Sequence, residues 1–154
     1  MSVLLQNTEA EASAVARFVD LLKLERDALS GGNIDNLDNL VQGKNDIAAE
    51  LQVLAGQRDA SLASRGFGAG RVGFEAWLAA HPASKAAQQA WSQVLLLAKE
   101  ARELNQMNGE LIRIRVQHNS QALEALLAVS RQPSLYGPNG QAAPRDSRRI
   151  NDAA

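Results

Sequence analysis

Apolar residues recur along most of the chain at alternating steps of three and four, the spacing that gathers side chains on one face of an α-helix. Leu5, Ala12, Val15, Val19, Leu22 and Leu29 form such a stripe and predict a first helix over about Leu4 to Leu29. Thr8 and Arg26 share the seam near its ends, where a long side chain can reach solvent. Gly31 and Gly32 end the helix, because glycine takes the left-handed cap conformation without a Cβ penalty. Asn33 is placed to cap a second helix, with Asp35 and Asp38 in its first turns, where the helix dipole favours negative charge. That helix runs to about Ala63 on a seam of Leu37, Leu40, Val41, Ile47, Leu51, Leu54 and Leu62. Lys44 sits within the seam and must either cost stability or meet a carboxylate across the bundle. At 1.5 Å rise per residue each helix extends roughly 40 Å, so a short connection makes an antiparallel hairpin.

Between Ser64 and Gly73 four glycines and two arginines interrupt every period, which predicts a mobile loop. Phe74, Trp77 and Leu78 then give one or two helical turns before His81 and Pro82, a short plug whose aromatics suit the open end of a bundle. Ser84 can cap a last helix, predicted as one rod to about Arg131 with Trp91, Val94, Leu95, Ala98, Ala101, Leu104, Leu111, Ile112, Ala122, Leu126 and Val129 among its apolar positions. Asn108-Gly109 often marks a turn, but Leu104 and Leu111 keep the helical phase across it and no proline intervenes, so continuity is predicted. From Gln132, with Pro133, Gly137, Pro138, Gly140 and Pro144, the composition cannot build a core. The fold class is therefore all-α: an antiparallel long-helix bundle with coiled-coil-like packing, a helical hairpin plus one long C-terminal helix and a short connecting helix. It occupies residues 1–131, followed by a flexible, extended C-terminal tail over 132–154. Leu135 and Tyr136 are exposed apolar groups in that tail, and such groups often mark contact points.

Composition narrows the function. With 154 residues the chain fits one domain, and an aromatic content of 4% leaves burial to aliphatic side chains on helices. A net charge of -1 gives no global attraction to nucleic acid or an anionic membrane. No cysteine is present, which removes disulfides and thiolate chemistry and suits a reducing, cytoplasmic setting. Met1 to Glu11 lacks the pattern of a signal peptide, and no run approaches the roughly 20 apolar residues of a membrane span, so a soluble protein without membrane insertion is expected.

Enzyme signatures are scarce, so no catalytic residue, cofactor or metal is expected. His81 and His118 lie on different elements, without a second ligand at metal spacing. The glycines at 66, 68, 70 and 73 follow no strand and precede no GK[ST], unlike a phosphate loop. Arg145, Arg148 and Arg149 are interleaved with Asp146 and Asp152 rather than with aromatics, a weak basis for nucleic-acid binding.

The last helix is unusual in two ways. Asn105, Asn108, Arg115, His118 and Asn119 crowd its middle, near or on the face that should pack; a buried polar group without a partner costs about 1–3 kcal/mol. Ile114, Val116, Leu123 and Leu127 also place apolar groups around its circumference. Such a helix wants more neighbours than a short bundle supplies: a helix from another protein, the first two helices, or a second copy in a homodimer.

Three segments then resemble a known family. Leu104-Asn105-Gln106-Met107-Asn108-Gly109-Glu110-Leu111-Ile112 looks like the LNxxNGxLI stretch of FlgN-type flagellar type III export chaperones. Asn119-Ser120-Gln121-Ala122-Leu123-Glu124 and Leu135-Tyr136-Gly137-Pro138-Asn139-Gly140-Gln141 resemble the NxQALE and LYGxxGQ elements of that family. The resemblance implies a chaperone that binds the C-terminal helices of the hook-associated junction proteins FlgK and FlgL, prevents their premature association and delivers them to the flagellar export gate. Position by position, it implies substrate-protein binding through Leu111, Ile112, Val116, Leu123 and Leu127, and export-gate docking through Leu135 and Tyr136. The alternative from another class is a structural coiled-coil subunit of a permanent assembly.

Overall fold

The computed structural model describes residues 2–130, and among these there is no strand. Four helices follow in order: α1 Val3–Gly31, α2 Leu37–Ala63, α3 Gly70–Ala80 and α4 Lys85–Ser130. The chain divides into two units, Met1–Gly109 and a second that begins at Glu110, within α4.

In the first unit α1 and α2 pair as an antiparallel hairpin built on heptads. One set of α1 seam positions is Thr8, Val15, Leu22 and Leu29; the other is Leu4, Glu11, Phe18 and Glu25. The two glutamates are buried, and each meets a base of α2. Lys44 Nζ lies 3.0 Å from Glu25 Oε1 and 3.3 Å from Oε2, while Arg58 Nη1 donates to Glu11 Oε2. Both carboxylates and both bases are two heptads apart on their own helices, so one antiparallel register satisfies both pairs. The seam lysine does meet a carboxylate across the bundle.

Residues 85–109 of α4 run parallel to α1. At one end Leu4, Leu62, Phe74, Trp77, Ala87, Trp91 and Val94 form one core cluster; further along, Val15, Val19 and Leu22 pack with Ala101 and Leu104. α3 plugs the first end, with Phe74 stacked on Trp91 at 4.4 Å between centroids and 7° between planes. The Arg58 guanidinium also lies over Trp91, 5.2 Å from the ring centroid, a distance at which a cation is attracted to the ring face.

Local details depart from expectation. α2 starts at Leu37, not after Asn33: a turn in which Ile34 O accepts the Leu37 N–H places Asn36 before the helix and leaves Asp35 outside it. The segment expected to be a loop to Gly73 is already helical from Gly70. The Asp59 carboxylate accepts the Gly70 N–H at 2.9 Å, and Gly73 faces Gly68 so closely that a Cβ would stand 1.7 Å from its carbonyl oxygen. Glycine here admits a tight loop-to-helix contact instead of breaking the helix. Thr8 does not reach solvent; it is fully buried, its hydroxyl donating to Leu4 O at 2.7 Å. Near the end of α1 the seam position is taken by Glu25, while its neighbour Arg26 is half-buried and pairs with Asp27. Val41 is exposed rather than part of the α2 seam.

α4 is continuous through Asn108-Gly109. The reason lies in tertiary partners: Asn108 is 1% exposed, and its Nδ2 donates to Leu22 O and to Glu25 Oε1, both at 2.9 Å. Lys44, Glu25 and Asn108 thus form one buried chain linking α2, α1 and α4. A residue so held cannot serve as the corner of a turn.

Candidate functional site: the distal segment of α4

Beyond Gly109 the character of α4 changes. Along residues 85–109 the buried positions Ala101, Leu104 and Asn108 follow steps of three and four. The apolar stripe then continues by two steps of four, Asn108 to Ile112 to Val116, and resumes three-four spacing through Asn119, Leu123 and Leu126. Such an extra step of four is a stutter, which re-phases a coiled-coil seam without interrupting the helix.

From Glu110 to Ala128 no side chain is buried. Ile112, Val116, Leu123 and Leu126 are 44%, 61%, 47% and 69% exposed. At about 100° per residue these four and Asn119 lie within roughly a third of the helix circumference. Aliphatic groups held in line on a regular helix, and left in water, are suited to receive an amphipathic helix, whose burial of that stripe would be driven by the hydrophobic effect.

Of the residues expected to bind a substrate protein, Ile112, Val116 and Leu123 share this stripe. Leu127 borders it and is half-buried. Leu111, also half-buried, lies about 100° away from Ile112 around the axis. Leu126 belongs to the stripe but was not singled out; its signal, the three-four continuation from Val116, competes with the phase carried forward from Leu104. Among the polar residues expected near the packing face only Asn108 is buried; Asn105, His118 and Asn119 are exposed and Arg115 is half-buried. Leu135 and Tyr136 lie outside the described residues.

Charge on the segment is locally compensated. Arg113 bonds Glu110 one turn back, Nε at 3.1 Å from Oε2. That hydrogen bond, with the attraction between the charges, holds the Glu110 carboxyl below its ordinary range and raises Arg113. Elsewhere the first unit carries one perturbed buried acid: burial pushes Glu11 above the usual carboxylate range, opposed by Arg58. Its second oxygen has no hydrogen-bond partner among the described residues. A groove of about 810 Å³ between the start of α1 and the end of α2 is lined by Val3, small and amide side chains such as Asn7, Gln57 and Ser61, and Arg65. Among the described residues there is no group of three or more His, Asp or Glu placed to hold a metal ion, and no helix is long and apolar enough to cross a membrane.

The FlgN protein family matches residues 1–144. The chain belongs to the FlgN family. A flagella synthesis protein FlgN of Proteus mirabilis is 28% identical over 144 residues, covering 92% of this chain and 91% of that protein. The flagella synthesis protein FlgN of Escherichia coli (strain K12) is 40% identical over 53 residues, 34% of this chain, and one from Yersinia enterocolitica is 44% identical over 52 residues, again 34%. These two alignments span only 38% and 35% of the relatives' own length. No solved structure matches the chain. The match to the FlgN family spans the distal segment of α4 together with the first unit.

Proposed function

We propose that this member of the FlgN family is a cytoplasmic flagellar export chaperone. It binds the C-terminal helices of FlgK and FlgL, keeps them from associating prematurely and hands them to the flagellar type III export gate. The observation that carries this reading is the run from residue 110 to 128, where a regular helix presents Ile112, Val116, Leu123 and Leu126 with no buried side chain. A stripe left in water on the single chain is a surface suited to association with a helix of another molecule. Relatives named for flagella synthesis support the biological setting. The binding surface comprises Leu111, Ile112, Val116, Leu123 and Leu127, with Leu126 added from the geometry. Leu135 and Tyr136 are assigned to gate docking, an aromatic ring being a suitable anchor for a pocket.

Titration calorimetry of the full chain against purified FlgK and FlgL tests the reading. Leu123→Asp with Leu127→Asp is expected to weaken both affinities by 100-fold or so, since two anions would enter an apolar contact. Tyr136→Ala is expected to leave them within about a factor of two and to weaken gate binding. Equal loss of cargo and gate binding from Tyr136→Ala would contradict the division of labour, and unchanged cargo affinity in the aspartate variant would dismiss the distal segment as the binding surface.

A further inference from the structure

The exposed stripe contains one polar member. Asn119 stands between Val116 and Leu123 in three-four spacing, is exposed, and has no hydrogen-bond partner among the described residues. An amide at such a seam position loses its water when a partner helix packs, and burying it unpaired costs stability. α4 already contains the solved version of this problem. Asn108, earlier in the same helix, is buried in the seam with α1, which supplies Glu25 Oε1 and the Leu22 carbonyl at 2.9 Å each. The first unit meets its seam asparagine with a matched polar group. For Asn119 that group must come from whatever covers the stripe.

Resting on the helix-binding reading above, we infer that Asn119 is a specificity-determining residue: the partner is an amphipathic helix whose apolar face is interrupted by one polar side chain, which hydrogen-bonds Asn119 and sets the register. A single asparagine in an aliphatic seam has this effect in coiled coils, where it lowers affinity relative to leucine but penalises misaligned or all-apolar partners. The stripe has aliphatic layers on both sides of Asn119, so a one-heptad slip would place the partner's polar group against Ile112 or Leu126. Register and partner choice are thereby coupled.

The experiment measures FlgK and FlgL affinities of the full chain by titration calorimetry for the wild type, Asn119→Leu, Asn119→Ala and Leu123→Asp, with helical circular dichroism confirming each fold. Asn119→Leu and Asn119→Ala are both expected to weaken binding on the order of tenfold, because each strands the partner's polar group; loss with alanine as well as leucine separates this from steric blockage. Unchanged or tighter binding by Asn119→Leu, alongside strong loss in Leu123→Asp, overturns the inference and leaves the helix-binding reading standing. No loss in Leu123→Asp ends both. Sedimentation showing that the free wild-type chain is a dimer and Asn119→Leu is not would assign the stripe to a second copy, whose own Asn119 supplies the polar group, and would also overturn it.

Discussion

The two halves of α4 carry similar side chains and meet opposite fates. Along residues 85–109, Trp91, Val94, Ala101 and Leu104 are buried against α1 and the plug helix, and the one polar intruder, Asn108, is bonded by α1. Along residues 110–128, Ile112, Val116, Leu123 and Leu126 keep much of their surface in water and Asn119 has no protein partner among the described residues. The difference is not in hydrophobicity but in what the rest of the chain supplies. Where it supplies heptads with matched charges, the helix is core. Where the helix supplies a stripe with no buried member, its stability rests on backbone hydrogen bonds and the neighbouring turns, and its apolar surface is available for association.

The largest expected effect comes from removing a matched charge in the first unit. Arg58→Ala leaves Glu11 buried without a countercharge and takes the guanidinium off Trp91, so a loss of about 3–5 kcal/mol is expected in urea unfolding. The pH dependence gives a second reading. Glu11 binds its proton more tightly in the folded chain than in the unfolded one, so its contribution is greatest below the unfolded pKa and is lost as pH rises through the raised folded value. Without Arg58 the folded pKa rises further, and the stability of the variant should fall more steeply over that window than the wild type's. A loss below about 1 kcal/mol with an unchanged pH profile would mean that the pair is solvated, as surface pairs are.

A smaller loss is expected from Asn108→Ala. Two hydrogen bonds disappear, one of them to a carboxylate, and Glu25 keeps only Lys44; about 1–3 kcal/mol should be lost. Part of the cost is offset because the Asn108 oxygen has no partner among the described residues and its removal relieves an unsatisfied group. Guanidinium or urea melts followed by circular dichroism check this, with helix content below the transition unchanged. A variant that loses α4 helicity between 109 and 128 while α1 and α2 persist would show that this asparagine also sustains the distal segment.

The four helices were legible because aliphatic spacing of three and four leaves little choice of period, and because Gly31-Gly32, the spaced glycines from Gly66 and Pro82 sit where the chain turns. Lys44 in an apolar seam left two outcomes open, a stability cost or a carboxylate across the bundle, and the second is the one realised. Its partner was not legible: Glu25 and Glu11 look like ordinary surface acids until the hairpin register brings each opposite a base. Arg58 was hidden in the same way. Gly68 and Gly73 read as loop breakers because sequence cannot display a backbone-to-backbone approach. In the distal segment Ile112, Val116 and Leu123 were read together with Leu111 and Leu127; the helix lines up the first three with Leu126, while Leu127 borders that line and Leu111 lies about 100° from Ile112. The stutter after Asn108, which carries the stripe to Ile112, is legible only once the buried positions before it are known.

The smallest expected effect, and the only gain, tests whether Gly109 has a task at the boundary of the two units. It lies within α4, is exposed, and an added Cβ would have no neighbour within 4 Å. Alanine is favoured over glycine in a helix interior by about 1 kcal/mol through backbone entropy, so Gly109→Ala should stabilise the chain by up to that amount with no steric cost. Gly73→Ala, also inside a helix, should do the reverse, because its Cβ would overlap Gly68. The contrast separates propensity from packing at two glycines that both lie inside helices. If Gly109→Ala raises the melting temperature and leaves FlgK and FlgL affinities unchanged, the residue is only a weak point in helix propensity. If the gain in stability comes with weaker cargo binding, the helix must bend or fray at Gly109 for its distal stripe to be covered, and the cost of a glycine in mid-helix is retained for that movement.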